Sequence, residues 1–187
     1  MKTSEVRKEF VNLFEGLAQK YSRHQIWSDF IIMSACAISN ACDRRFFDVR
    51  EAMYMDCVKK YKREEAEVFP EMLSLVVIAF EINPEQDFLG EIFGSLRLHN
   101  EWRGQFFTPY HLARLMADIN TGNLVKDIEE KGSVSVSDCC CGAGCLLIAF
   151  ANSAKRAGVN YQRNILFVAQ DVDLIAGLMC YIQLSIL

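Results

Sequence analysis

The stretch from Val134 to Ala157 limits the possible folds more than any other part of the chain. Val134 and Val136 alternate with Ser135 and Ser137, and the run ends on an acid, Asp138. Cys139-Cys140-Cys141-Gly142-Ala143-Gly144 follows, and an apolar, helix-forming segment opens at Cys145. Alternation at period two, a tight glycine turn and a helical run make a strand–turn–helix unit. Gly158 stands where that helix closes, and a second apolar run, Ile165 to Gln170, leads into Asp171, Val172 and Asp173. Two strands joined through one helix of this length pair in parallel through a right-handed crossover. The expected fold class is therefore α/β, with parallel strands at about 134–139 and 165–170. In such sheets ligands bind beyond the carboxyl ends of the strands, where the glycine turn lies. The turn alone fits plain strand–helix packing as well as ligand binding. It is not the dinucleotide pattern, because Leu147 stands at the third glycine position.

The first 86 residues read as helices. Val6, Phe10, Leu13, Phe14 and Leu17 recur at helical spacing in a helix from Ser4 to Tyr21. A second helix opens at Ser28 or Asp29 and runs to about Ala41, and a third runs from Asp48 to about Val68. Pro70 starts a fourth, where proline is tolerated, and it ends near Ile82 before Asn83-Pro84. Asp87 to Leu96 is a fifth. Thr108 and Pro109 read as the N-cap and first residue of a helix reaching about Asn120, with Leu112, Leu115 and Met116 facing a core. The expected division is a helical region, 1–86, and an α/β region, 87–187. The last helix, from Leu174, is strongly apolar and meets the end of the sequence at Leu187 with no turn residue. That pattern implies a truncated C-terminus and self-association, as a dimer burying helix 174–187 or through another subunit.

Several function classes are disfavoured. The eight cysteines contain no Cys-x-x-Cys pair, Cys139, Cys140 and Cys141 are consecutive, and His24, His99 and His111 are scattered, so no metal site is expected. Free thiols in a reducing compartment are expected instead. No apolar run has the length of a membrane span, and the charged start is not a signal peptide, which points to the cytoplasm. A net charge of −4 does not suit a domain that grips phosphates by itself. Arg44-Arg45, Lys59-Lys60 with Lys62-Arg63, and Lys155-Arg156 read as solvated helix faces.

Three segments in order carry a resemblance: Gly104-Gln105-Phe106-Phe107-Thr108-Pro109, then Asp138 to Leu147, then Ala169-Gln170-Asp171-Val172-Asp173. With Asp87-Phe88-Leu89-Gly90-Glu91-Ile92-Phe93 before them, they resemble the amino-terminal motifs of N-6 adenine-specific DNA methyltransferases, and in particular the modification subunit of type I restriction-modification systems. Cys139 stands where that family usually has proline and Ala143 where serine is common. The resemblance implies a helical N-terminal part followed by a partial Rossmann-like, S-adenosylmethionine-dependent methyltransferase fold, over residues 87–187. It implies S-adenosylmethionine as cofactor. Phe107, Thr108 and Pro109 would cover its methionine end, and Cys140, Gly142, Gly144 and Val172 would also bind the cofactor, the glycine turn letting its methionine portion approach the backbone. Asp138 would pair with the α-amino group, and Asp171, beside Val172, would accept the ribose hydroxyls, with Asp173 as the weaker alternative. As structural alternatives, Asp171 would cap the last helix and Asp138 would merely hold the turn.

The family's catalytic Asn/Asp-Pro-Pro-aromatic motif has no match here. The prolines are Pro70, Pro84 and Pro109, none adjacent, so no catalytic residue is assigned. Two readings stay open: the cofactor-binding part of an adenine-N6 DNA methyltransferase of a restriction-modification type system, and a non-catalytic S-adenosylmethionine-binding or regulatory protein derived from one. In either, DNA is engaged through segments not present here or through a specificity subunit. A small-molecule methyltransferase is argued against by the Thr-Pro segment and the run before it.

Overall fold

The structure is a computed structural model and describes residues 2–98 and 108–187. The helices before the sheet are α1 (Thr3–Ala18), α2 (Arg23–Cys42), α3 (Phe47–Val58), α4 (Arg63–Ala66), α5 (Val68–Ile82), α6 (Phe88–Ser95), α7 (Tyr110–Asn120) and α8 (Leu124–Lys131). Then come β1 (Val134–Asp138), α9 (Cys145–Arg156), α10 (Tyr161–Asn164), β2 (Ile165–Ala169) and α11 (Leu174–Ile186).

The helical part is built around aromatic rings. Val6, Phe10, Phe14 and Leu17 form the buried stripe of α1. The Phe10 ring meets Phe30 at 5.4 Å, Phe88 at 5.8 Å and Trp27 at 6.3 Å, each edge to face, so one side chain joins α1, α2 and α6. Helix α2 opens earlier than expected. Ser22, not Ser28 or Asp29, is its N-cap and accepts from the Gln25 amide at 3.2 Å. Asp29 is instead buried and accepts from the Tyr61 hydroxyl at 2.8 Å and from Lys60 Nζ at 2.7 Å. Turning Lys60 and Tyr61 inward to meet it interrupts the helix expected over 48–68, which divides into α3 and α4. Helix α5 carries Pro70 in its first turn and stops at Ile82, with Asn83 as its C-cap, as the sequence predicts.

The strands pair in parallel, in register from Val134 opposite Ile165 to Asp138 opposite Ala169. This agrees with the α/β expectation at the level of strand, helix and parallel strand, in a chain that is otherwise mostly helical. Val134, Val136, Ile165 and Phe167 pack with Leu124, Phe150, Ala154 and Val159. Ser135, Ser137, Leu166 and Val168, on the opposite face, are exposed. Helices α8 and α10 are additions to the sequence-based expectation.

Two local expectations change. Pro109, not Thr108, is the N-cap of α7, and it makes no side-chain cap. Leu112, Leu115 and Met116 point to solvent, while Ala113 and Ala117 are buried with Cys145 and Ala149 of α9. The small residues face inward because they let the two helix backbones approach closely.

Helix α11 packs on α2, α6 and α9. Met179 and Ile182 enter the same cluster as Phe10, Trp27 and Phe88, together with Ala143 and Ile148, so one core crosses from the helical region into the α/β region. The buried face of the helix expected to form a dimer is thus occupied by neighbours within the chain. No helix among the described residues is long and apolar enough to cross a membrane.

Candidate functional site

The carboxyl ends of β1 and β2 are tied together by the main chain. The Gln170 amide donates to the Asp138 carbonyl, and the Cys141 amide donates to the Gln170 carbonyl, both at 2.9 Å. Asp138 Oδ1 accepts from the Cys140 amide at 3.0 Å, which bends the chain out of the strand. The turn then needs left-handed backbone at two positions, Gly142 (φ 53°) and Gly144 (φ 95°), where a side chain is strained. Gly144 is also the N-cap of α9, and a Cβ there would stand 2.8 Å from Cys180 Sγ of α11. The close approach it permits is therefore one between α9 and α11.

Asp171 is the other half of the turn. Its Oδ2 accepts from the Gly142 amide at 2.8 Å and its Oδ1 from the Asp173 amide at 2.9 Å. Each oxygen keeps a second lone pair. Asp173, not Asp171, caps α11, accepting from the Ile175 and Ala176 amides at 2.8 and 3.2 Å. Val172 between them is fully exposed.

Thr108 and Pro109 arrive from the far side. The Cys145 thiol, kept protonated because burial pushes its pKa well above the usual value, donates to the Thr108 carbonyl at 3.2 Å. Behind them Asn152 Nδ2 donates to the Pro84 carbonyl at 2.9 Å and lies 3.4 Å from the Tyr110 hydroxyl. The structure thus brings Thr108, Pro109, Asp138, Cys140, Gly142, Gly144, Asp171 and Val172 to one end of the strand pair. Phe107 lies outside the described residues, as does the Gly104–Phe107 segment.

One polar atom at this end stands out. Asp138 Oδ2 is buried with no hydrogen-bond partner among the described residues. A buried carboxylate oxygen left unpaired is costly, and an incoming ammonium or N–H donor removes that cost. Holding the turn thus uses only one oxygen of Asp138. An open groove of about 740 Å³ runs beside β1, between it and α7, with Met116, Leu147 and Phe150 in its walls. It meets the site through Asp138 and Cys139; Gly142, Gly144 and Asp171 lie outside its lining.

Sequence reasoning missed Gln183. This fully buried side chain donates from Nε2 to the Ala143 carbonyl and to Asp87 Oδ1, both at 2.8 Å, and accepts from the Leu89 amide at 2.9 Å. The sequence carried a signal for it. Gln183 is in phase with Ala176, Met179 and Cys180 on the buried stripe of α11, and a polar residue on such a stripe needs a buried partner.

Five side chains of the basic clusters are in ion pairs within the chain. Arg45 pairs with Asp43, Lys59 with Asp56, Lys60 with Asp29, Arg63 with Glu67, and Arg156 with Glu85 and Asp118.

Against known proteins, the family model described as N-6 DNA Methylase matches residues 85–186, more than half of the chain. No curated protein and no solved structure matches it.

Proposed function

The chain belongs to the N-6 DNA methylase family, and from that premise we propose that residues 87–187 hold S-adenosylmethionine for methyl transfer to the N6 amine of adenine in DNA. Membership supports a DNA methyltransferase of the adenine-N6 kind. The finer reading, a partial Rossmann-like cofactor domain of a restriction-modification modification subunit in the cytoplasm, rests on the motif resemblance. The observation that carries it is the meeting of three motifs at one strand end, with Asp171 bonded to Gly142 and Cys145 bonded to Thr108.

The residues present fit the cofactor. The unpaired Asp138 Oδ2 suits the α-ammonium of its methionine part. Asp171 has lone pairs left for two ribose hydroxyls, and by the resemblance the Phe107-Thr108-Pro109 segment would cover the methionine end. When bound, the cofactor supplies the methyl group. The chain's residues orient it, and the sequence carries no Asn/Asp-Pro-Pro-aromatic loop to take a flipped adenine. With a net charge of −4 and many of its basic side chains in ion pairs within the chain, this chain leaves the grip on phosphates to a further segment or a specificity subunit. The lack of adjacent prolines favours, as a second reading, a related protein that binds the cofactor without the chemistry.

Titration calorimetry with S-adenosylmethionine and with its demethylated product tests the site. Binding to the wild type is expected, weakened by about 1.5–3 kcal/mol in Asp171→Ala, the usual scale for hydrogen bonds to a charged group. Asp138→Asn keeps an acceptor for the Cys140 amide but replaces an anionic oxygen, so it too should weaken binding. Unchanged affinity in either variant removes that residue from the site, and no binding to the wild type at millimolar ligand overturns the reading.

A further inference from the structure

We propose that Gln183 is a positioning residue for the glycine turn and that Asp87 holds it in place, so that the geometry of the ligand-binding turn depends on the charge of a buried carboxylate at the start of α6. The inference rests on the reading of the turn as a cofactor site.

The turn is held from two sides. Asp171 takes the Gly142 amide, and Gln183 takes the carbonyl of the following residue, Ala143. These two groups lie on the peptides before and after the Gly142–Ala143 peptide, so anchoring both restrains the peptide between them. A Gln amide can present either its oxygen or its nitrogen to Ala143, and only the nitrogen bonds a carbonyl. Two contacts select that orientation: the Leu89 amide requires the Gln183 oxygen, and Asp87 Oδ1 requires its nitrogen. Asp87 is itself fixed as the N-cap of α6, accepting from the Gly90 amide at 2.9 Å. Gly90 has to be glycine, because a Cβ there would stand 2.1 Å from the Asp87 carboxylate.

The chain of contacts continues into the helical region. Arg7 of α1 pairs with Glu91, donates to Gln86 at 3.0 Å and lies over the Phe88 ring at 5.9 Å. The ionisable groups facing Asp87 are thus Arg7 from α1, Glu91 from its own helix, Cys145 from α9 and Cys180 from α11. Burial raises both thiols far above their usual range, so they stay neutral. Burial, reinforced by Glu91 and opposed by the Gln183 and Gly90 hydrogen bonds and by Arg7, lifts the Asp87 carboxyl to about 6. An ionised carboxylate is the stronger acceptor for Gln183. Protonation slackens that bond and, through it, the grip on Ala143.

Hydrogen exchange on the full chain, followed by peptide mass, reads the turn without any ligand. Gln183→Leu keeps the bulk and removes the bonds. Amides of residues 139–146 should then exchange about tenfold faster than in wild type, with a smaller change in α1 and α2. Equal acceleration everywhere, or an unchanged turn, overturns the proposal. In wild type, protection of the turn corrected for intrinsic rates should fall between pH 7 and pH 5, whereas in Asp87→Asn it should be flat. A flat wild type overturns the proposal even if Gln183→Leu fails to fold. In calorimetry, affinity for the demethylated cofactor should drop about tenfold or more in Gln183→Leu, on the scale of one charge-assisted contact. Unchanged affinity overturns the positioning role. A wild type that binds no cofactor refutes the site reading instead, and the exchange data then decide the Gln183–Asp87 arrangement separately.

Discussion

At the scale of single residues, the motif positions were legible because their chemistry is local. An acid at a strand end, glycines at positive φ and an acid after the second strand follow from the geometry of a strand–turn–helix unit. Asp87 and Gln183 were not legible as a pair, since 96 residues separate them and only the packing of α11 on α6 joins them. Asp87 has a consequence for stability. Its folded pKa of about 6 lies above the ordinary value of 3.8, so between those limits the native state binds more protons than the unfolded chain. Its contribution therefore becomes less favourable as pH rises through this window, by roughly 2–3 kcal/mol in all. The acids Glu65, Asp43, Asp56 and Asp118 are shifted down by their hydrogen-bonded partners, and their stabilisation is lost as pH falls from the normal carboxylate range toward their lowered values. Urea unfolding at pH 4.5, 5.5 and 7 should show the difference between pH 4.5 and pH 7 altered by Asp87→Asn in the direction of greater relative stability at pH 7. An identical pH dependence in the two proteins would contradict the raised pKa. Falling pH should thus favour Asp87 globally while loosening the turn, two opposite signs that a purely structural role does not produce.

At the scale of elements, β1, β2, α9 and α11 followed from periodicity, whereas α7 shows where periodicity misleads. Leu112, Leu115, Met116 and Ile119 make an apolar stripe at helical spacing, and hydrophobicity alone turns that stripe inward. The structure buries the Ala113–Ala117 side instead, because α9 presents Cys145 and Ala149 and the pair gains more from close backbone approach than from large side chains. Asp118 reinforces this choice by accepting from Ser153 at 2.6 Å and from Arg156 at 2.7 Å. Enlarging the small face should therefore cost more than trimming the large one. Ala113→Leu is expected to destabilise by about 1–3 kcal/mol, the range for overpacking a tight contact. Leu115→Ser should stay within about 0.5 kcal/mol, as for other exposed sites. Denaturant midpoints measure both, and the reverse ranking would mean that the large stripe is the packed one.

At the scale of the whole molecule, the helices of residues 1–86 supply the cover that α11 needs, since Met179 and Ile182 share one core with Phe10, Trp27 and Phe88. A two-stranded parallel pair is too small to be stable by itself, so the α/β region leans on that cover. Among the described residues, the apolar side chains left uncovered include the outer stripe of α7, Phe46, Val49 and Met55 at α3, the Leu166–Val168 face of β2, and Leu174 and Tyr181 on α11. Contiguous apolar surface of this kind drives association. Because most of α11 is already packed, the α7 stripe is the larger free apolar surface, and it is expected to hold a self-associated form at low micromolar concentration. Sedimentation velocity distinguishes the surfaces. Leu115→Glu with Ile119→Glu should shift the protein to a monomer while leaving its unfolding midpoint nearly unchanged. Leu174→Ser with Tyr181→Ser should leave the association intact. If only the second pair dissolves it, the C-terminal helix holds the assembly, as the apolar pattern of the sequence implies. A wild type that sediments as a clean monomer would remove self-association from both surfaces.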